Sequence, residues 1–429
     1  MVLVYASIGG AANTNLALWT ITVSDSIDID RGRWPILARI ERKTNTVAQS
    51  SPGLLLVKQD QEDREPQPFQ ILTVHEPDVD CPRDVTSRSD YLEICFFAEL
   101  SAGCEHRYEL YETEPSSSPP PDSSDAPTLH YAGEGLGTTV NSGPAAFEFD
   151  PLSGQLYLYT PRIAGVYGKM GFQQERQRAI HWNPDVKMPP SKWGSTSEWR
   201  SDDPERTPDF KESRGRTVYR TVRSGYLPVI AARVYCEVSY TVFAGMPFML
   251  EASRLRFEQE ASVRAIRNNE LVFSRGIHTH GAWPNKNGGP ELGLLYDEKA
   301  PQTIQRAVTR LASDIPWIAL LHLRLLYGIS IVNLWHGSSA PPGSDGPQDH
   351  DAQYYFLDYG QHTRERRPHY DFAYVCRKLV GSATVPKGAT YAERSAFLVF
   401  ALDENEERRF DDMLRWTRLL QNPPVVVVE

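Results

Sequence analysis

The sequence predicts a mainly β protein: a small antiparallel β-domain followed by a large antiparallel β-sandwich with few helices. Short runs rich in β-branched and aromatic residues recur along most of its 429 residues. The 32 Pro and 29 Gly supply many turns, more than helical bundles need. Period-two alternation is common, and helical periodicity is confined to two stretches.

The small domain is read over residues 1–114. Its strands include Leu18 to Val23, Phe69 to Val74 and Tyr91 to Phe97. Residues 115–128 are rich in Pro and Ser, cannot pack a core, and are read as a loop or linker. The sandwich is assigned to residues 129–429. It opens with a hairpin, in which Ala146 to Asp150 and Gln155 to Tyr159 flank the turn Pro151-Leu152-Ser153-Gly154. Residues 181–216 are polar, Pro-broken and hold Trp182, Trp193 and Trp199, which suits a functional cover.

From 228 to 275 the alternation is clearest. Ala232, Val234, Cys236, Val238 and Tyr240 form one face, and Arg233, Tyr235, Glu237 and Ser239 the other. Runs at 248–257 and 262–273 continue the sheet. Residues 301–313 fit a helix with Ile304, Ala307, Val308 and Leu311 on one side. Strands resume at 317–335, 354–357, 372–379 and 395–402. Residues 404–420 fit an amphipathic helix with Phe410, Met413, Leu414 and Leu420 inward.

Composition narrows the function. Hydrophobic residues make up 40% and charged residues 23%, an ordinary globular balance that excludes global disorder. No run reaches the roughly 18 apolar residues of a membrane span. The net charge of −10 argues against nucleic acid as a partner. The basic residues are 35 Arg to 10 Lys, and guanidinium forks suit carboxylates. A local pocket for an anionic ligand and a genomic composition bias explain that ratio equally well. The five cysteines lack CxxC spacing, which fits reduced thiols, with a disulfide among Cys81, Cys95 and Cys104 open if the protein is secreted. Met1 to Trp19 carries no Lys or Arg before its apolar part and reads poorly as a secretory signal, so a cytoplasmic location is expected. The oligomeric state is not legible.

The sharpest local pattern is His278-Thr279-His280-Gly281-Ala282-Trp283. On a strand, positions i and i+2 share a face, so both imidazoles would converge. With His336 as a third ligand they would hold a divalent metal such as Zn, Ca or Mn. A metal-free acid–base pair and a merely structural role stay open beside that reading. The cupin pattern is not reproduced, because the acidic residue after His280 is as distant as Glu291. Glu251 and Glu270 sit within apolar strands, where an unpaired carboxylate is costly. Each serves either as a catalytic group or as a partner for Arg254 or Arg267. Trp283 and Trp335 flank candidate histidines and suit either sugar stacking or core packing. Esterase-elbow, phosphate-loop, dinucleotide and zincin motifs are absent from the sequence.

The Arg233/Tyr235/Glu237 face, the Trp-bearing loop and the 278–283 segment resemble carbohydrate-active large β-sandwich proteins, above all the galactose-mutarotase-like sandwiches of polysaccharide lyases. The resemblance spans roughly residues 130–400. It implies an extended, anionic carbohydrate substrate and a lyase that cleaves a uronate-containing glycan by β-elimination. His278 or His280 with Tyr235 would supply base and acid, with Glu251 as a further catalytic candidate. Arg233, Arg267 and Asn269 would hold the carboxylate, and Trp283 and Trp335 would stack the sugar. A metal-dependent sugar hydrolase or isomerase and a non-catalytic glycan-binding protein are the alternatives.

Overall fold

The computed structural model describes residues 17–41, 53–59, 64–77, 91–113, 127–162, 177–181, 184–190, 192–274, 278, 280–294, 310–311, 315–339, 353–358, 372–380 and 382–429. The architecture is antiparallel β throughout, with one α-helix among the described residues.

The small domain is two sheets face to face. One has five strands in the order Val425–Val428, Trp19–Ser24, Glu105–Thr113, Gly53–Gln59, Arg64–Pro66. The other has three, in the order Gly32–Glu41, Tyr91–Leu100, Phe69–Leu72. Strand Trp19–Ser24 buries alternate residues Trp19, Ile21 and Val23, as period-two patterning dictates. Phe96 meets Tyr108 across the gap with ring centroids 4.7 Å apart. Val425–Val428 joins this sheet from within the stretch that the sequence assigns to the sandwich, pairing Ile21 with Val428.

The large sandwich is a nine-stranded sheet packed on an eleven-stranded one. The nine-stranded sheet runs Asp209–Arg214, Val218–Tyr226, Val234–Phe243, Phe248–Phe257, Thr390–Ala401, Tyr327–Ser339, Trp317–His322, His280–Pro284, Pro290–Leu294. The face predicted apolar, Val234 to Tyr240, is fully buried against the opposing sheet, where Phe149 stacks on Tyr240 at 5.3 Å. Each such buried aromatic contributes about 1.5–3 kcal/mol relative to exposure. The predicted hairpin forms as Ala145–Phe149 and Leu156–Pro161. Its turn is pinned by Asp150, whose Oδ1 accepts from the Leu152 and Ser153 amides at 3.0 and 2.8 Å. Gly154 completes it at a φ of 67°.

The helix Asp411–Gln421 buries Met413, Thr417, Leu419 and Leu420, close to the predicted stripe. Its C-terminal carbonyls are closed by a cation, as helix ends favour. Arg31 donates from Nη1 to Leu419 O at 2.7 Å and is itself held by Asp25, Nε to Oδ2 2.8 Å.

Three expectations change. The apolar run 317–335 is two strands, because Leu323 to Leu326 form a turn in which Leu326 takes a φ of 58°. Within the helix expected at 301–313, Arg310–Leu311 pair as a strand with Tyr354 and Tyr355, and residues 301–309 and 312–314 lie outside the described set. The segment 181–216 is built into the sandwich from residue 184 onward rather than laid over it. It contains a hairpin, Asp185–Met188 with Lys192–Ser195, and Trp199 is a core residue whose Nε1 donates to Tyr226 O at 3.0 Å. Trp182 lies outside the described residues. Cys95, Cys104 and Cys236 are free thiols, while Cys81 lies outside the described residues.

Candidate functional site

Strand alternation gives the nine-stranded sheet two unlike faces. The inner face meets the eleven-stranded sheet. The outer face carries Phe248, which packs on Trp34 of the small domain at 5.8 Å and on Trp416 of the helix at 5.9 Å. Where the small domain, the helix end and this outer face part, they enclose a cleft of about 950 Å³, the size of a small-molecule site.

One wall of the cleft is a buried charge network. Arg220 is fully buried in strand Val218–Tyr226. Its Nη1 donates to Glu93 Oε2 at 2.7 Å, and its Nη2 lies 3.3 Å from Glu76 Oε1. Arg394 Nη2 donates to Glu76 Oε2 at 3.1 Å, and Thr241 Oγ1 donates to Glu76 Oε1 at 3.2 Å. His75 Nδ1 lies 3.3 Å from Glu93 Oε2. Burial alone would raise both carboxylates. For Glu93, the hydrogen bond from His75 and the charge of Arg220 outweigh burial and pull it down to about 2. For Glu76, the fields of Arg220 and Arg394 do the same, leaving it below the usual carboxylate range. Both groups are therefore ionised acceptors at neutral pH.

The floor carries Trp335. A bulge after Asn333 inserts Leu334, so Trp335 takes the position opposite Arg394 on the neighbouring strand. Bulges of this kind re-aim a side chain. The half-buried indole lies across small residues, packed on Ala252 and Ala392. A Cβ at Gly337 would come within 2.7 Å of its Cζ2, so the missing side chain makes the space for the ring. An aromatic plate beside fixed acceptors and an Arg donor is the equipment that holds a polyhydroxylated ring.

The residues singled out in the sequence fall mostly elsewhere. His278 is 2% exposed and sits between the sheets, its Nε2 in a 2.9 Å hydrogen bond with Tyr159 Oη. Loss of hydration on burial, then the charge of His322, push its pKa down to about 3. His280 pairs with Leu321 and faces outward; burial, then Arg409, lower its pKa. The strand begins only at His280, so the i,i+2 rule does not reach His278. His336 lies opposite Glu393 on the inner face. Gly328 occupies the row of Leu321 and His280, and the eight residues from there to His336 span about 26 Å at ~3.3 Å per residue. The structure thus does not bring together the three imidazoles of the expected metal set, His278, His280 and His336. Among the described residues no cluster of three or more His, Cys, Asp or Glu has metal-holding geometry.

Tyr235 stands near one end of its strand, under Arg256 at 5.3 Å. Arg233 is exposed and pairs with Glu258, Nε to Oε2 3.4 Å. Arg267 is committed to Asp185 and stacks on Trp193 at 3.9 Å. Asn269 lies within strand Ala265–Ser274, its side chain outside the described set, as is that of Glu270. Trp283 fills the space over Gly293 on a strand near the sheet edge. Glu251 is fully buried on the inner face; burial, then the charge of Glu393, raise its pKa well above the carboxylate range. Among the described side chains Tyr235, Arg233 and Arg267 are engaged elsewhere, and Glu251, though on the inner face like His278, sits on a different strand beside Tyr240. Among the described side chains of the predicted set, Trp335 alone lines the cleft.

Sequence reasoning missed Glu76, Glu93, Arg220 and Arg394. A signal was present: Glu93 interrupts Tyr91-Leu92-Glu93-Ile94-Cys95-Phe96, and Arg220 interrupts Val218-Tyr219-Arg220-Thr221-Val222. A charge inside an apolar strand needs a partner.

No family model and no curated protein matches the sequence. Solved structures do resemble the chain. An α-mannosidase from Enterococcus faecalis V583 superposes over 96% of this chain and 46% of its own, at 9% identity and a TM-score of 0.52. A protein in Glycosyl Hydrolase Family 38 from Enterococcus faecalis gives 96%, 47%, 8% and 0.54 in the same order. A galactose mutarotase-like protein from Clostridium acetobutylicum superposes over 64% of this chain and 99% of its own at 6% identity, with a TM-score of only 0.32. The chain spans about half the length of the α-mannosidase and of the Family 38 protein, and at such low identity the likeness is one of fold.

Proposed function

We propose that this is a carbohydrate-directed β protein whose cleft between the small domain and the large sheet holds a sugar ring against Trp335. The observation that carries the reading is the indole laid over Gly337, Ala252 and Ala392, beside Arg394 and the ionised Glu76. Sugar hydroxyls both donate and accept, so an Arg and a carboxylate at one wall satisfy the edge of a ring whose face meets the indole. A fold shared with carbohydrate-processing proteins supports the same reading.

A glycan array followed by calorimetry on its hits tests it. Trp335→Ala should weaken binding by about 2 kcal/mol, roughly thirtyfold, as expected of a buried aromatic anchor. Gly337→Val should weaken it too by displacing the indole, while both variants keep the native circular dichroism spectrum. A folded protein that binds no glycan, or binding indifferent to both substitutions, overturns the reading.

A hydrolase is the second reading, favoured by the likeness to the α-mannosidase. Glycoside hydrolysis needs one protonated and one ionised carboxyl across the bond. Glu76 and Glu93 are both held ionised, so the cleft offers the base or nucleophile and leaves the acid to be supplied from elsewhere. Release of nitrophenol from nitrophenyl α-mannoside tests it. β-Elimination on a uronate draws least from the geometry, because His278, Tyr235 and Arg267 lie apart. A new ultraviolet absorbance on incubation with uronate polysaccharides would restore it.

A further inference from the structure

Resting on that reading, we infer that the cleft selects its glycan by charge, favouring sugars that carry free amines and rejecting uronates. The ionisable side chains lining it are Glu41, Glu76, Glu93 and Glu429 against Arg39 and Arg394. Arg394 is set on Glu76, and the Arg220 guanidinium behind the wall is shared between Glu76 and Glu93. Counting Arg220, four carboxylates face three guanidinium groups among the described residues, and the excess is negative.

The excess also has a place. Glu41 and Glu429 are exposed, and both border the cleft together with Trp335. An ammonium group on a sugar stacked at Trp335 gains Coulomb attraction from the carboxylates and cation–π attraction from the indole face. A sugar carboxylate in the same position meets repulsion: Arg394 is already paired with Glu76, and exposed Arg39, over the Tyr91 ring at 5.5 Å, stands against the two exposed carboxylates Glu41 and Glu429. An anionic ligand was one reading of the arginine-rich composition; the balance of charges around the cleft points the other way.

The test compares three oligosaccharides of equal length by calorimetry at about pH 6: glucosamine, N-acetylglucosamine and galacturonic acid oligomers. Glucosamine should bind about tenfold more tightly than the acetylated form at low salt, and galacturonate most weakly. Raising the salt to screen exposed charges should shrink that preference severalfold. The double variant Glu41→Gln, Glu429→Gln should lose most of the preference while still binding the neutral oligomer. Equal affinity for all three, or galacturonate binding best, overturns the charge inference and leaves sugar binding standing. No binding by any of the three overturns both.

Discussion

His278 illustrates how burial converts a candidate catalytic group into a pH liability. Its ring is 2% exposed, and its pKa is pushed from 6.5 down to about 3, first by loss of hydration and then by His322. In the unfolded chain the imidazole takes a proton near its ordinary value, while the folded protein resists. The unfolded state therefore binds more protons below 6.5, and stability falls as the pH falls. At pH 5.5, one unit below that value, the protonated form outnumbers the neutral form tenfold in the unfolded chain. The loss is RT ln 11, about 1.4 kcal/mol, and it grows by ~1.4 kcal/mol for each further unit until the folded value is approached. Chemical unfolding of the wild type and of His278→Gln at pH 7.5 and 5.5 measures it, since subtracting the variant cancels the other titrating groups. The wild type should lose about 1.4 kcal/mol more than the variant between those two pH values. Equal losses would refute the reasoning and would mean that the ring is solvated and titrates normally.

Removing the guanidinium in Arg220→Leu should cost about 3–5 kcal/mol in unfolding experiments, because it strands Glu76 and Glu93 beside each other. The acid limb of stability should move as well. In the wild type the contribution of Glu93 is present above 4.5 and fades as the pH drops toward 2, whereas in the variant the fading should begin at higher pH. Burial raises the thiols of Cys95 and Cys236 far above their ordinary range. Alkylation followed by peptide mass spectrometry should label half-buried Cys104 first and reach Cys95 and Cys236 only on unfolding.

Local chemistry made much of the fold readable. The alternation from Ala232 to Tyr240 needs no tertiary information, and neither does the turn that Asp150 and Gly154 impose on its hairpin. The site was less legible, for two reasons. A residue's face depends on where its strand begins, and starting the strand at His280 leaves His278 on the other side of the sheet. Convergence depends on register, and the row that holds His280 meets Gly328 rather than His336. Trp335 reaches the cleft only because Leu334 is inserted, which no period-two reading anticipates. Glu93 and Arg220 were detectable as charges within apolar strands, the argument that singled out Glu251. Their mutual pairing was not, since the small domain and the large sheet supply one each.

The pairing of Ile21 with Val428 joins segments separated by roughly four hundred positions, a long loop to close. During translation the strand Trp19–Ser24 emerges early and waits, one edge bare, until Val425–Val428 leaves the ribosome. Vectorial synthesis would then deliver the sandwich strands before the lesser sheet is sealed, and a nascent chain stalled short of residue 425 would expose an edge open to a chaperone or to another nascent chain.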